Sequence, residues 1–183
     1  SAVTVIDTAI DLDAVARALR TRLRDDQVRD SPTLRNLYRH DASNMTGRAG
    51  IVCFAESTED VQACVQVAAD MGVPFMARGS GTGLAGGAVP PPDAIVISTT
   101  KMNKILSVDE VNRIAWVEPG VLNLDLSKQI AHLGVHFAPD PSSQQTCSIG
   151  GNVANNSGGP HCLADGVTNA HIHGMEVVLP DGS

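Results

Sequence analysis

Aromatic side chains make up only 3% of this 183-residue chain: one Trp, one Tyr and three Phe. That scarcity argues against a platform on which successive nucleobases stack. Basic residues are also few, 13 Lys and Arg against 20 Asp and Glu, for a formal charge of -7. Without a basic stripe to neutralise phosphates, a general nucleic-acid or polyanion binder is disfavoured. One phosphate-bearing ligand held by local backbone N–H groups is still allowed. No apolar run approaches the ~20 residues of a membrane span, and Ser1 to Ala16 lacks a basic segment followed by an apolar core. The chain reads as soluble and cytoplasmic. Its four cysteines, Cys53, Cys64, Cys147 and Cys162, form no C-x-x-C pair and no metal-like spacing. They read as small buried hydrophobes, reduced in a cytosolic setting, with a redox role for Cys147 or Cys162 as the alternative. His171 and His173 alternate and His161 is near, but no further ligand or supporting group is identifiable, so no metal is expected. There is no G-x-S-x-G elbow, no G-K-[ST] phosphate loop and no paired-carboxylate motif.

What the chain does have is concentrated between Pro139 and Pro160, in PDPSSQQTCSIGGNVANNSGGP. No Lys, Arg, Asp or Glu occurs between Asp140 and Asp165, yet hydroxyl and amide side chains abound. Two glycine pairs, Gly150-Gly151 and Gly158-Gly159, bracket an Asn-rich segment. Glycine lets another group approach the backbone closely, at a cost of about 0.5–1 kcal/mol inside regular structure. With Ile149, Val153 and Ala154 as apolar anchors, the stretch is read as wrapping a polar ligand that needs many hydrogen bonds. A flexible surface linker is the alternative.

The length suits one domain or two small lobes, and a hydrophobic share of 43% is ordinary for a globular core. Asp11 is placed to cap a helix with Leu12, Val15, Ala16, Leu19 and Leu23 on one face. Arg17, Arg20, Arg22 and Arg24 then occupy its solvated face. Ser31-Pro32 opens a short helix or turn, and Ile51 to Ala55 reads as a strand. Ser57 caps the next helix, with Glu59 and Asp60 in the first turn, where acids oppose the dipole. Val61, Cys64, Val65, Ala68 and Met71 recur at helical spacing, Gly72 sits at a left-handed C-terminal position and Pro74 forbids continuation. Val73 to Ala77 is a second strand, completing a strand-helix-strand unit. Ile95 to Ser98 reads as a third strand. Ile105 to Val108 and Arg113 to Val117 read as antiparallel strands around Asp109 to Asn112. Asn123 is placed to cap a helix carrying Leu126, Ile130 and Leu133, stopped by Gly134. Met175 to Leu179 reads as a strand, followed by a hairpin turn at Pro180-Asp181-Gly182, so the chain is expected to be a piece of something longer.

The second strand runs into Arg78-Gly79-Ser80-Gly81-Thr82-Gly83-Leu84-Ala85-Gly86-Gly87. Gly81 to Gly86 spells G-x-G-x-x-G, the dinucleotide fingerprint, which requires a following helix to receive the pyrophosphate. Pro90-Pro91-Pro92 prevents that helix, so the Rossmann reading fails. A glycine-rich nest beside one arginine, able to bind a diphosphate through N–H groups, is what the loop offers. A tight structural turn is the alternative.

With both glycine stretches in view, the sequence resembles the FAD-binding domain of the flavin-linked oxidases related to vanillyl-alcohol oxidase. Within that family the likeness is greatest to glycolate oxidase flavoprotein subunits and to D-lactate or D-2-hydroxyglutarate dehydrogenases. It runs from about Ile51 onward and rests on PFMARGSGTGLAGGAVP, VEPGV at Val117 to Val121, DPSSQQTCSIGGNVANNSGGP and GMEVVLPDGS. Each piece alone is weak; four in family order are specific. The resemblance implies that Arg78, Gly79, Ser80, Gly81, Thr82 and Gly83 meet the FAD phosphates. It implies further that Pro139, Asp140, Ser148, Gly150, Gly151, Asn155 and Gly158 line the flavin and ribityl side. Relatives with a covalent flavin often carry His in the first loop, where this chain has Thr82, so non-covalent FAD is implied. Gly81→Val is accordingly expected to abolish FAD binding. Departures exist: the family's S-E-G-T-like motif and its substrate domain, with histidines, metal and base, are absent. Asp165 stands where tyrosine is usual and His173 where leucine is common, which bears on local packing.

The resemblance implies an α+β fold in two lobes with FAD between them, C-terminally incomplete. Residues 1–48 form an N-terminal helical segment, 49–104 a first lobe and 105–183 a second, with the split near Lys101 to Leu106. The implied activity is oxidation of a 2-hydroxy acid of glycolate or D-lactate type by hydride transfer to flavin N5. The chain itself supplies cofactor contacts, no catalytic residue and no metal ligand, and is expected to be inactive alone. Substrate would arrive through the missing domain, with partner subunits or an electron acceptor beyond it. The alternative is a non-catalytic flavin-binding or electron-relay subunit, and a domain that has lost the cofactor is the third reading.

Overall fold

In the computed structural model of the protein, which describes residues 9–183, the Asp11 carboxylate accepts the Ala14 N–H at 3.0 Å and opens α1 (Leu12–Arg20). The part of the leader reading that falls on residues 1–8 lies outside the described residues. Val15, Ala16 and Leu19 of α1 are buried, while its arginines reach outward. Arg20 meets Asp30 at 2.9 Å, and Arg24 meets Glu56 at 2.9 Å. A short strand β1 (Val28–Arg29) and α2 (Pro32–Leu37), capped by Ser31, follow.

The strand-helix-strand unit forms as its local signals dictate. β2 (Ala49–Phe54) leads to α3 (Thr58–Met71), capped by Ser57 and closed by Gly72 at φ 65°, and then to β3 (Phe75–Arg78). β4 (Ala94–Ser98) inserts between the two strands, parallel to both, with β1 antiparallel on the outer edge of β2. Period-two alternation then divides the sheet's faces. Ile51, Cys53, Ile95 and Ile97 pack with α1 and α3, and Val52 and Val96 pack with Leu34, Tyr38 and Phe54. Residues of the N-terminal segment are thus built into the core of the first sheet from both sides.

A second core stands on a separate hairpin, β5 (Ile105–Asp109) and β6 (Ile114–Val117). Asp109 accepts both Asn112 nitrogens and closes the turn. Helix α4 (Asn123–Ile130) buries Leu126 and Ile130, and continues as a 3-10 turn that Gly134 ends at φ 72°. Helix α5 (Ile149–Asn155), capped by Ser148, adds Ile149 and Val153 to this core. A short α6 (Cys162–Asp165) stands in solvent. Two sheets, each with its own helices and core, give the expected α+β, two-lobed architecture.

Three local expectations are corrected. Asn123 is the first residue of α4 rather than its cap; its amide is buried and bonded to distant groups, which outweighs local capping preference. Met175 to Leu179 forms no strand. It runs past α3, where Thr58 bonds Glu176 and Gln62 bonds the Gly182 carbonyl, and among the described residues no strand adjoins it. Ala154 and Cys162 are exposed, because Ala154 lies on the outer face of α5 and Cys162 on the protruding α6. No helix among the described residues is long and apolar enough to cross a membrane.

Candidate cofactor site

The loop after β3 contains no helix, and residues 79–93 carry no regular element before β4. Pro90 is buried, and the chain beyond it closes in a turn, with the Ala94 N–H donating to the Pro91 carbonyl at 3.3 Å and Asp93 at a φ of 60°. The consequence is unusual for half-buried backbone. Among the described residues, no N–H from Gly79 through Gly83 donates a hydrogen bond within the protein. Most buried N–H groups in folded proteins are paired, so a run of uncommitted, half-buried donors is suited to an anion. Gly81 holds a φ of 69°, in the left-handed region that glycine adopts without strain.

The second stretch closes on this loop. Ser148, buried at the start of α5, accepts the Gly151 N–H at 3.3 Å, and its hydroxyl lies directly against the Cα of Gly79. A Cβ on Gly83 or Gly87 would meet the Asn155 carboxamide oxygen at 3.9 or 3.8 Å, so that side chain faces the loop. Its nitrogen is fixed by the Gly151 carbonyl at 2.9 Å. Gly79, Ser80, Gly81, Thr82 and Gly83 therefore share one place with Ser148, Gly151 and Asn155.

The remaining residues implied by the resemblance are engaged inside the second stretch. Gly150 donates to the Pro119 carbonyl at 2.8 Å, seating VEPGV beneath α5. Gly158 packs on Val167 and Cys162, and Gly159 on the Asp140 backbone. Pro139 is buried, and its carbonyl accepts the Asn123 amide at 2.9 Å. Asn123 also donates to the Asn152 carboxamide oxygen at 3.0 Å, and Asn152 to the Cys147 sulfur at 3.3 Å. Asp140 pairs with His161 Nδ1; that bond raises the histidine pKa above its ordinary value and lowers the carboxylate's.

Arg78 is 8% exposed and does not reach into open space. Its Nη1 donates to the Ala88 carbonyl at 2.6 Å, and its Cζ stands 5.1 Å from the Tyr38 ring centre. Burial pulls its pKa down, opposed by Tyr38 and Asp41, and an arginine stays charged under such a shift. Sequence reasoning missed the segment around Tyr38, which touches the loop at several points. The available cue was slight: Tyr38 is the only tyrosine in the chain. No group of three or more metal-ligating side chains occurs among the described residues.

This cradle fits a diphosphate-bearing cofactor, and comparison with known proteins agrees. The family model described as "FAD binding domain" matches residues 49–183. Glycolate oxidase subunit GlcD of Escherichia coli is 43% identical over 132 residues, covering 72% of this chain and 26% of that protein. D-lactate dehydrogenase of Anaerostipes hadrus is 38% identical over 147 residues, covering 79% and 31%. Among solved structures, 4-ethylphenol oxidase from Gulosibacter chungangensis superposes with a TM-score of 0.80 at 26% identity, covering 96% of this chain and 34% of that one. The chain spans about a quarter to a third of the length of the curated relatives it matches. It belongs to the FAD binding domain family, in the vanillyl-alcohol-oxidase-like group, and its cofactor is FAD.

Proposed function

We propose that this chain is the diphosphate-holding part of an enzyme that oxidises a small 2-hydroxy acid of the glycolate or D-lactate type. When bound, FAD supplies an acceptor, N5, for the hydride on the substrate Cα. The residues of this chain bind and orient. Backbone N–H groups of Gly79 to Gly83, with the Ser80 and Thr82 hydroxyls, take the diphosphate. Ser148, Gly151 and Asn155 face the same loop, and Pro139, Asp140, Gly150 and Gly158 shape the flavin and ribityl side. Thr82 in place of a histidine leaves the cofactor non-covalent. No residue here is assigned a catalytic role, and the chain alone does not turn over. The four free cysteines fit a reducing compartment such as the cytoplasm.

The observation that carries this reading is the run of uncommitted N–H donors at Gly79 to Gly83, set against Ser148. Relatives named for glycolate and D-lactate support the substrate class. The test is an FAD titration of the purified chain, followed by flavin fluorescence and visible absorbance. Saturable binding is expected, released on denaturation because the flavin is non-covalent. Failure to bind FAD both in this chain and in a longer one carrying a substrate domain would overturn the reading.

A further inference from the structure

The glycine loop is held from outside by a segment that belongs to neither glycine stretch. Ala42 N–H donates to the Gly83 carbonyl at 3.1 Å. Asp41 Oδ2 accepts the Ala88 N–H at 3.4 Å. Met45 Sδ lies 2.6 Å from where a Cβ on Gly86 would stand. Beneath these contacts the Arg78 guanidinium binds the Ala88 carbonyl, lies under Gly81, and stacks on Tyr38. Tyr38 is anchored in turn, edge-on to Phe54 at 5.8 Å and against Val52 and Val96 of the first sheet.

We infer that Arg78 is a positioning residue: clamped between the Tyr38 ring and the Ala88 carbonyl, it holds both ends of the glycine loop together and so aims the Gly79 to Gly83 N–H groups at the FAD diphosphate. The inference rests on the proposed diphosphate site, and deepens it by adding Tyr38 to Met45 to the cofactor cradle. The physical reason is geometric. A guanidinium is planar, so it stacks on a ring face while its in-plane N–H groups reach a carbonyl. A lysine ammonium keeps the charge but cannot do both. Arg78 closes a loop whose own N–H groups provide no ladder to hold it. Gly81→Val does not separate cradle from clamp, because a side chain at Gly81 runs into the Arg78 guanidinium before any ligand arrives.

The test is a double-mutant cycle on FAD affinity in the full chain, read by flavin fluorescence, with Arg78→Gln, Tyr38→Ala and both together. Each single variant is expected to weaken FAD binding about tenfold, the value of one cation–π contact midway between its exposed and desolvated limits. The double variant is expected to be no weaker than either, because both remove one device. Tyr38→Phe, which keeps the ring face, is expected to retain wild-type affinity, and Arg78→Lys is expected not to. Rescue by Arg78→Lys together with an unaffected Tyr38→Ala would overturn the inference in favour of a direct charge contact, while leaving the diphosphate site standing. Multiplication of the two single effects to about a hundredfold loss would also overturn it. Should Arg78→Gln fail to fold, Tyr38→Ala and Tyr38→Phe with Arg78→Lys decide the matter. A wild-type chain blind to FAD, alone and with its substrate domain, would overturn the underlying reading as well.

Discussion

Gly79 and Ser148 touch so closely that a methyl group on the glycine would overlap the serine hydroxyl oxygen. The same hydroxyl caps α5 through Gly151. One contact thus joins the glycine loop that follows β3 to the helix that begins the second glycine stretch. Gly79→Ala is expected to destabilise the chain by about 1–3 kcal/mol through overpacking. Ser148→Ala alone loses the cap, about 1 kcal/mol, yet it removes the clashing oxygen and leaves a Cβ at an ordinary 3.6 Å. The double variant should therefore cost clearly less than the sum. Urea unfolding of the three variants measures this. Strict additivity would show that the two stretches are not in contact.

Asn123 has the opposite character, a buried amide on which several groups depend. It is 1% exposed and donates to Pro139 O and Asn152 Oδ1, while its own oxygen has no partner. Asn123→Ala leaves the Pro139 carbonyl without a donor and Asn152 Oδ1 with only the weak Cys147 thiol at 3.7 Å, and a buried unsatisfied group costs about 1–3 kcal/mol. The change should destabilise the second lobe by at least about 1 kcal/mol and weaken FAD binding in parallel, because Pro139 leads into Asp140. Urea denaturation and FAD titration of the same variant test both halves. Unchanged stability would remove Asn123 from its bracing role.

These two residues show which parts were legible in the sequence. Helix α3 could be read because every signal for it is local: Ser57, the first-turn acids, helical spacing, Gly72 and Pro74 lie within the helix or beside it. The absence of a helix after the glycine loop was likewise written in Pro90 to Pro92. Asn123 was misplaced because capping preference is local, whereas its partners Pro139 and Asn152 are remote in sequence. Arg78 could be carried over by resemblance to the phosphate loop. Its engagement with Tyr38 joins segments remote in sequence and leaves no periodic trace. Met175 to Leu179 has strand composition, but a strand also needs a neighbour to bond with.

The cysteines separate cleanly by exposure. Cys53, Cys64 and Cys147 are buried and Cys162 is exposed, all as free thiols. Bonding to Cys64 and burial push the Cys53 thiol up, further from the reactive thiolate. Ellman's reagent should label one thiol rapidly in the native chain and all four in denaturant. Cys162→Ser should abolish the rapid phase. A second fast thiol in the native state would contradict the packing of the first core or of the Asn152 network.

The pair between Asp140 and His161 ties the residue after Pro139 to the segment beyond Gly159, and it titrates in a defined direction. Bonding to Asp140 raises the His161 pKa above 6.5, so its contribution to stability is complete below 6.5 and is lost as pH rises through the elevated value. Bonding to His161 lowers the Asp140 pKa below 3.8, so its contribution is present above 3.8 and is lost as pH falls through the depressed value. The tie is therefore in place between those two limits and opens on either side. His161 is 72% exposed at its side chain, so the effect belongs to local order around Asp140 more than to global stability. Asp140→Asn should bring the His161 midpoint down toward 6.5, followed by NMR of the imidazole protons. Asp165 also favours the charged ring, so Asp165→Asn should lower the midpoint by less. If the midpoint stayed raised in Asp140→Asn, the pairing with Asp140 would not be its cause. FAD affinity of the wild-type chain should decline as pH rises through the elevated midpoint, and this decline should be absent in Asp140→Asn.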